Sequence, residues 1–284
     1  MIHGNMLLSF KGNIMSKSSK YILAAGCSFT DKDFTSVIHK DYDTSYPKWP
    51  ELFGEYKNMD VVNLGKSGVS NDYILDVLTK RILEDHKNID TVVVGWSEVY
   101  RYGMFGGRYR LNPITALYRP NHKQDPWQEA SRPMFKLMFD GDLIKKSHNV
   151  NDMNNLAVWM LSSWLESMWK IQELCKLLNI KYIQTKLCGS ITLSKFKQIE
   201  KSFSEPLGFT EKEWHIQFGR IKTLFELDRS HYIGYPFLNT FNGFCFQDKL
   251  VDAIRISNKD AHPNAEGHEF IARKFYEHYT KIYP

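Results

Sequence analysis

Lys20-Tyr21-Ile22-Leu23-Ala24-Ala25-Gly26-Cys27-Ser28 is the stretch on which the fold turns. Residues Lys20 to Ala25 read as a strand with no alternation of polar and apolar positions, which suits a strand covered on both faces of a parallel sheet. Gly26 stops the run. Ser28 then falls on the turn at the strand's carboxyl end, where open α/β sheets bind their ligands.

The same pattern recurs along the chain. Asp60-Val61-Val62-Asn63-Leu64 reads as a second strand stopped by Gly65, Thr91-Val92-Val93-Val94 as a third stopped by Gly95, and Lys181-Tyr182-Ile183-Gln184-Thr185 as a fourth. Helices are expected between them. Ser70 has the character of an N-cap, with Asp72 in the first turn and Tyr73, Ile74, Val77, Leu78 and Ile82 at helical spacing. A second helix is expected from about Asn154 to Leu178, its Trp and Met positions facing the core. A third follows Asn264 as cap, with Phe270, Ile271, Phe275, Tyr279 and Ile282 on one face. Strand and helix in alternation imply an α/β fold, a three-layer αβα sandwich around a parallel sheet of about five strands. Residues 20–284 are expected to form one domain, with residues 1–19 an extension and insertions near 100–151 and 189–230. No element is assigned between Tyr232 and Ile256.

Composition narrows the function classes. Of 284 residues, 43% are hydrophobic and 14% aromatic, enough for a full core. A net charge of +5 is too mild to point to nucleic acid. No apolar run is as long as a membrane span, and the first ten residues are too short and polar for a signal peptide. A cytoplasmic or virion-associated location is expected. The four cysteines, Cys27, Cys175, Cys188 and Cys245, form no Cys-x-x-Cys pair, so neither a zinc site nor a disulfide framework is expected, and Cys27 reads as a core residue.

Chemistry enters through the chain's two ends. Asp260-Ala261-His262-Pro263 precedes the last helix. His262 can take a proton from the Ser28 hydroxyl, and Asp260 can orient the imidazole and stabilise its charged form; such triads are recognised by role and not by chain order. Four blocks align at element ends: Gly26-Cys27-Ser28-Phe29-Thr30, Asn63-Leu64-Gly65-Lys66-Ser67-Gly68, Gly95-Trp96-Ser97-Glu98 and Asp260-Ala261-His262-Pro263-Asn264.

This order and spacing resemble the SGNH hydrolases, also called the GDSL esterase and lipase family. The resemblance implies a flavodoxin-like αβα sandwich, Ser28 as nucleophile, and Asp260 and His262 as acid and base. It further implies an oxyanion hole from the Ser28 and Gly68 N–H groups and the residue at position 97. The family aspartate before the serine is Cys27 here, the oxyanion asparagine is Ser97, and the common Asp-x-x-His spacing is shortened to Asp-x-His. Asn71 is a possible substitute donor.

Arg101, Tyr102, Phe105, Arg108, Tyr109, Arg110, Tyr118 and Arg119 mix cations with rings after the third strand. Such a loop suits stacking on sugar rings or gripping an anionic polymer. Asn71, Trp96, Arg101 and Tyr102 are therefore expected to line the substrate site, and an O-acyl ester, acetyl on a carbohydrate, is the expected substrate. No metal, cofactor, nucleic acid or membrane partner is expected. The alternative is a binding or structural protein that keeps the fold without turnover, such as a carbohydrate-binding component of a phage particle.

Overall fold

The structure is a computed structural model that describes residues 20–99, 101–104, 109–111, 150–189, 226–234 and 245–284. Five strands form one parallel sheet: β1 (Tyr21–Gly26), β2 (Val61–Asn63), β3 (Ile89–Trp96), β6 (Lys181–Lys186) and β7 (Tyr232–Ile233). A separate antiparallel pair joins β4 (Tyr102–Met104) to β5 (Tyr109–Leu111). The helices are α1 (Trp49–Lys57), α2 (Asn71–Asp85), α3 (Val150–Leu177) and α4 (Ala265–Ile282).

The sheet order is β2-β1-β3-β6-β7. Counted along the chain this is the 2-1-3-4-5 order of flavodoxin-like sheets, which reverses direction between β1 and β3. Ala24 pairs with Asn63 on one side and Val93 on the other, and Gly26 pairs with Gly95. The loops after β1 and β3 therefore leave the sheet side by side.

Successive strand residues point to opposite faces. In β1, Ile22, Leu23, Ala24 and Ala25 are all fully buried, as are Val92, Val93 and Val94 in β3, so both faces are covered. Two helix pairs, α1 on α4 and α2 on α3, supply the covering layers. Trp49 of α1 stacks on Phe275 of α4 with centroids 4.2 Å apart.

The caps are where the side chains predict them. Ser70 accepts from the Tyr73 N–H at 3.3 Å, and Asn264 accepts from the Gly267 N–H at 2.9 Å. Besides the β4–β5 pair, two further elements were not expected. α1 carries Pro50 in its first turn and buries only Trp49, Pro50, Phe53 and Gly54, too short an apolar face for periodicity to reveal. β7 has two residues, and its place in the sheet comes from pairing with β6. Most of the stretches 100–151 and 189–230 lies outside the described residues. No described helix is long and apolar enough to cross a membrane.

Candidate active site

The chain turns sharply after β1. The Cys27 carbonyl accepts from the N–H groups of Thr30 and Asp31, at 2.8 and 3.1 Å, which winds one turn and leaves Ser28 at its start. Gly26 must be a glycine, because a Cβ there would lie 2.8 Å from the Gly95 carbonyl oxygen and closer still to the Thr30 hydroxyl.

The opposite wall is a tight loop before α4. Arg255 bridges to Pro263, and the Ile256 N–H donates to the His262 carbonyl at 2.9 Å. Inside the loop the Ser257 hydroxyl accepts from the Lys259 and Asp260 N–H groups. The two-residue spacing of Asp260 and His262 lets one carboxylate oxygen do two jobs. Asp260 Oδ1 accepts from the His262 backbone N–H at 3.1 Å and meets the ring Nδ1 at 2.5 Å. The other ring nitrogen, Nε2, lies 2.8 Å from Ser28 Oγ. A carboxylate only accepts, so Nδ1 carries the ring hydrogen and Nε2 is left to accept the serine proton.

Burial by itself would raise the Asp260 carboxyl pKa. Hydrogen bonds from the Ser36 hydroxyl and His262 outweigh it and hold the group below the usual carboxylate range. The imidazole is flanked by Phe34, stacked at 4.3 Å between centroids, and by Phe29, tilted at 5.0 Å.

The second block is tied to the first. Lys66 N–H donates to the Gly26 carbonyl at 3.0 Å, and Asp31 Oδ2 accepts from the Ser67 N–H and hydroxyl at 2.7 and 2.6 Å. This carries the chain into Gly68, whose φ of 80° is a left-handed conformation that favours glycine.

Other expected site residues sit differently. Ser97 is fully buried, its N–H donates to Asn71 Oδ1 at 2.8 Å, and its hydroxyl lies 3.8 Å from Cys188 Sγ. The structure thus turns Ser97 into the interior, and the expectation that its hydroxyl lines an oxyanion pocket is corrected. Asn71 bridges the same loop, its Nδ2 donating to the Glu98 carbonyl at 3.0 Å. These backbone partners fix the amide's orientation, and one amide hydrogen remains beyond them. Trp96 is a core side chain instead of a substrate contact: Nε1 donates to Gln184 Oε1 at 2.8 Å, and Gln184 in turn donates to the Met168 carbonyl of α3. Arg101 is largely buried against Glu98 Oε2 at 2.9 Å, and although burial works to lower its pKa, the Glu98 carboxylate beside it raises it on balance. This ion pair engages Arg101 Nε and fixes the side chain beside Glu98. The Tyr102 side chain, and the rest of the arginine and aromatic run beyond it, lie outside the described side chains.

Cys27 is buried as expected, with its Sγ 3.5 Å from Cys188 Sγ. His268 is also buried and accepts from the Trp49 N–H at 3.2 Å through Nδ1, a packing role. Among the described residues no cluster of His, Cys, Asp or Glu has the makings of a metal site.

No protein-family model matches the sequence, and no curated protein matches it. Solved structures do. The chain is similar in structure to SGNH hydrolases. A structure described as a lipolytic protein of the G-D-S-L family, from Desulfitobacterium hafniense, is 11% identical, covering 91% of this chain and 99% of that one with a TM-score of 0.40. The psychrotrophic esterase EstA from Pseudoalteromonas sp. is 11% identical over 93% and 98% of the two chains, with a TM-score of 0.42. An acetylxylan esterase from Geobacillus stearothermophilus is 16% identical over 93% and 95%, with a TM-score of 0.39.

Reasoning from sequence missed the segment from Asp31 to Tyr46. It has no helical or strand period, yet it supplies Asp31, Phe34 and Ser36 to the site. A Ser or Asp in an aperiodic loop carries no local signal; only the folded contacts single these out.

Proposed function

We propose that this chain is a serine esterase working through an acyl-enzyme intermediate. The observation that carries the reading is the continuous relay from Ser28 Oγ through His262 to Asp260, with contacts of 2.8 and 2.5 Å. Ser28 Oγ attacks the ester carbonyl while its proton passes to His262 Nε2. The tetrahedral oxyanion is met by the Ser28 and Gly68 N–H groups. Collapse breaks the bond to the alcohol oxygen, and His262 returns the proton to that leaving group. Water then repeats the sequence on the acyl-serine, giving a carboxylic acid and free Ser28. Asp260, ionised at neutral pH, keeps Nδ1–H pointed at itself and Nε2 free throughout.

The substrate we infer is a small O-acyl ester, acetyl in the first instance, with a carbohydrate as the leaving alcohol. The mixed arginine and aromatic composition after β3 supports a sugar.

A second reading is favoured by one observation. With Ser97 turned inward the site loses a side-chain oxyanion donor, a deficit worth a factor of roughly 100–1000 in turnover. On that reading the site binds its ester or sugar without turning it over.

The two are separated by incubation with a fluorophosphonate probe and with an aryl acetate. Hydrolysis expects label on Ser28, acetate release by wild type, and loss of both in Ser28→Ala. A wild type that takes no label and releases no acetate sinks the esterase reading and favours the binding protein.

A further inference from the structure

The segment from Asp31 to Tyr46 makes contact with the acid-base loop at four successive points. Phe34 stacks on the His262 ring. Ser36 Oγ donates to Asp260 Oδ2 at 2.5 Å. His39 Nε2 meets Ser257 Oγ at 2.7 Å, and Tyr46 OH donates to the Pro263 carbonyl at 3.1 Å. The segment is braced internally by the Thr44 hydroxyl on the Phe34 carbonyl, at 2.7 Å.

Within it, Ser36 is the most constrained. Its side chain is 4% exposed. Its oxygen accepts from the His39 N–H at 2.9 Å, which leaves the hydroxyl hydrogen for Asp260 alone. Asp260 Oδ1 is already occupied by His262, so the described contact to Oδ2 fixes the carboxylate's rotation about its own axis. Without it, a buried carboxylate oxygen loses a charge-assisted bond.

We propose that Ser36 is a positioning residue for this site, a fourth member of the relay that orients the Asp260 carboxylate toward His262 Nδ1 and itself touches no substrate. The proposal deepens the esterase reading and rests on it for its kinetic readout. The hydroxyl acts on the transition state, because the imidazolium that Asp260 must stabilise forms only as Ser28 attacks. Substrate binding involves none of these atoms.

The test compares wild type, Ser36→Ala and Ser36→Thr in two measurements. The first is aryl acetate turnover. Ser36→Ala should lower kcat about 10- to 100-fold, the worth of one hydrogen bond to a charged group, with KM nearly unchanged. Ser36→Thr, which keeps the hydroxyl, should recover most of the loss. The second is the downfield proton resonance of His262 Nδ1–H, assigned by its disappearance in Asp260→Asn. It should shift or broaden by exchange in Ser36→Ala and return in Ser36→Thr. A resonance in Ser36→Ala identical to that of wild type overturns the proposal whatever the rate does. A wild type without turnover whose resonance still responds to Ser36 counts against the esterase reading and for the relay. If Ser36→Ala does not fold, a Ser36→Thr chain that folds but has neither the resonance nor the rate of wild type also overturns it.

Discussion

Ser97 is where the residue-by-residue reading and the fold part company. By position it follows β3 as an oxyanion donor should, but its two polar donors face Asn71 and Cys188 and its side chain has no exposed surface. An asparagine there must find room for a larger amide against a buried thiol. Ser97→Asn is therefore expected to destabilise the fold by about 1–3 kcal/mol, as overpacked cores do, and to leave turnover no higher than wild type. Urea unfolding and aryl acetate kinetics on the same variant check both halves. A faster enzyme of undiminished stability would show that position 97 faces the substrate after all. Ser28, Asp260 and His262 behave differently because each is fixed by its neighbours on the chain: a strand end, an N-terminal turn, and a carboxylate two residues before its imidazole.

At the scale of elements, the β1 turn places Ser28. Gly26→Ala would push a methyl group against the Gly95 carbonyl, a backbone atom of the neighbouring strand that cannot rotate away. We expect a loss of about 1–3 kcal/mol in unfolding free energy and a fall in probe labelling at Ser28, since the turn must shift to relieve the contact. Full labelling at an unchanged urea midpoint would contradict this. The long apolar runs Ile22–Ala25 and Val92–Val94 announced their own burial, and the Ser70 and Asn264 caps announced two helix starts, so the sheet centre and two helices were legible in the sequence. What was not legible depends on pairing or on contact. β7 is a strand only because β6 lies beside it. The Asp31–Tyr46 segment has meaning only when Asp260 and His262 arrive, more than two hundred residues later. Asp-x-His, by contrast, was readable, and the double contact at Asp260 Oδ1 explains why so short a spacing works.

For the whole molecule, α1 and α4 are joined across their shared layer by the Trp49 N–H bond to His268. Burial, with smaller contributions from the charges of Lys48 and His262, depresses His268 from 6.5 to about 3. Below pH 6.5 the unfolded chain takes up a proton there while the folded chain does not, until about pH 3. Stability contributed by this group is thus complete above pH 6.5 and falls by up to about 1.4 kcal/mol per pH unit as the solution is acidified through that window. Urea midpoints between pH 7 and pH 4 should fall more steeply for wild type than for His268→Gln, and parallel curves would rule the account out. The layout of the relay also has a consequence for the timing of synthesis. Ser28 and His262 are 234 positions apart, and the acid sits beside the base. On the esterase reading, a ribosome making this chain lays down Ser28 234 residues before the histidine that takes its proton. On that same reading, a nascent product that stops short of Asp260 carries the serine without the base that would activate it, and stays inert toward esters while it is being made.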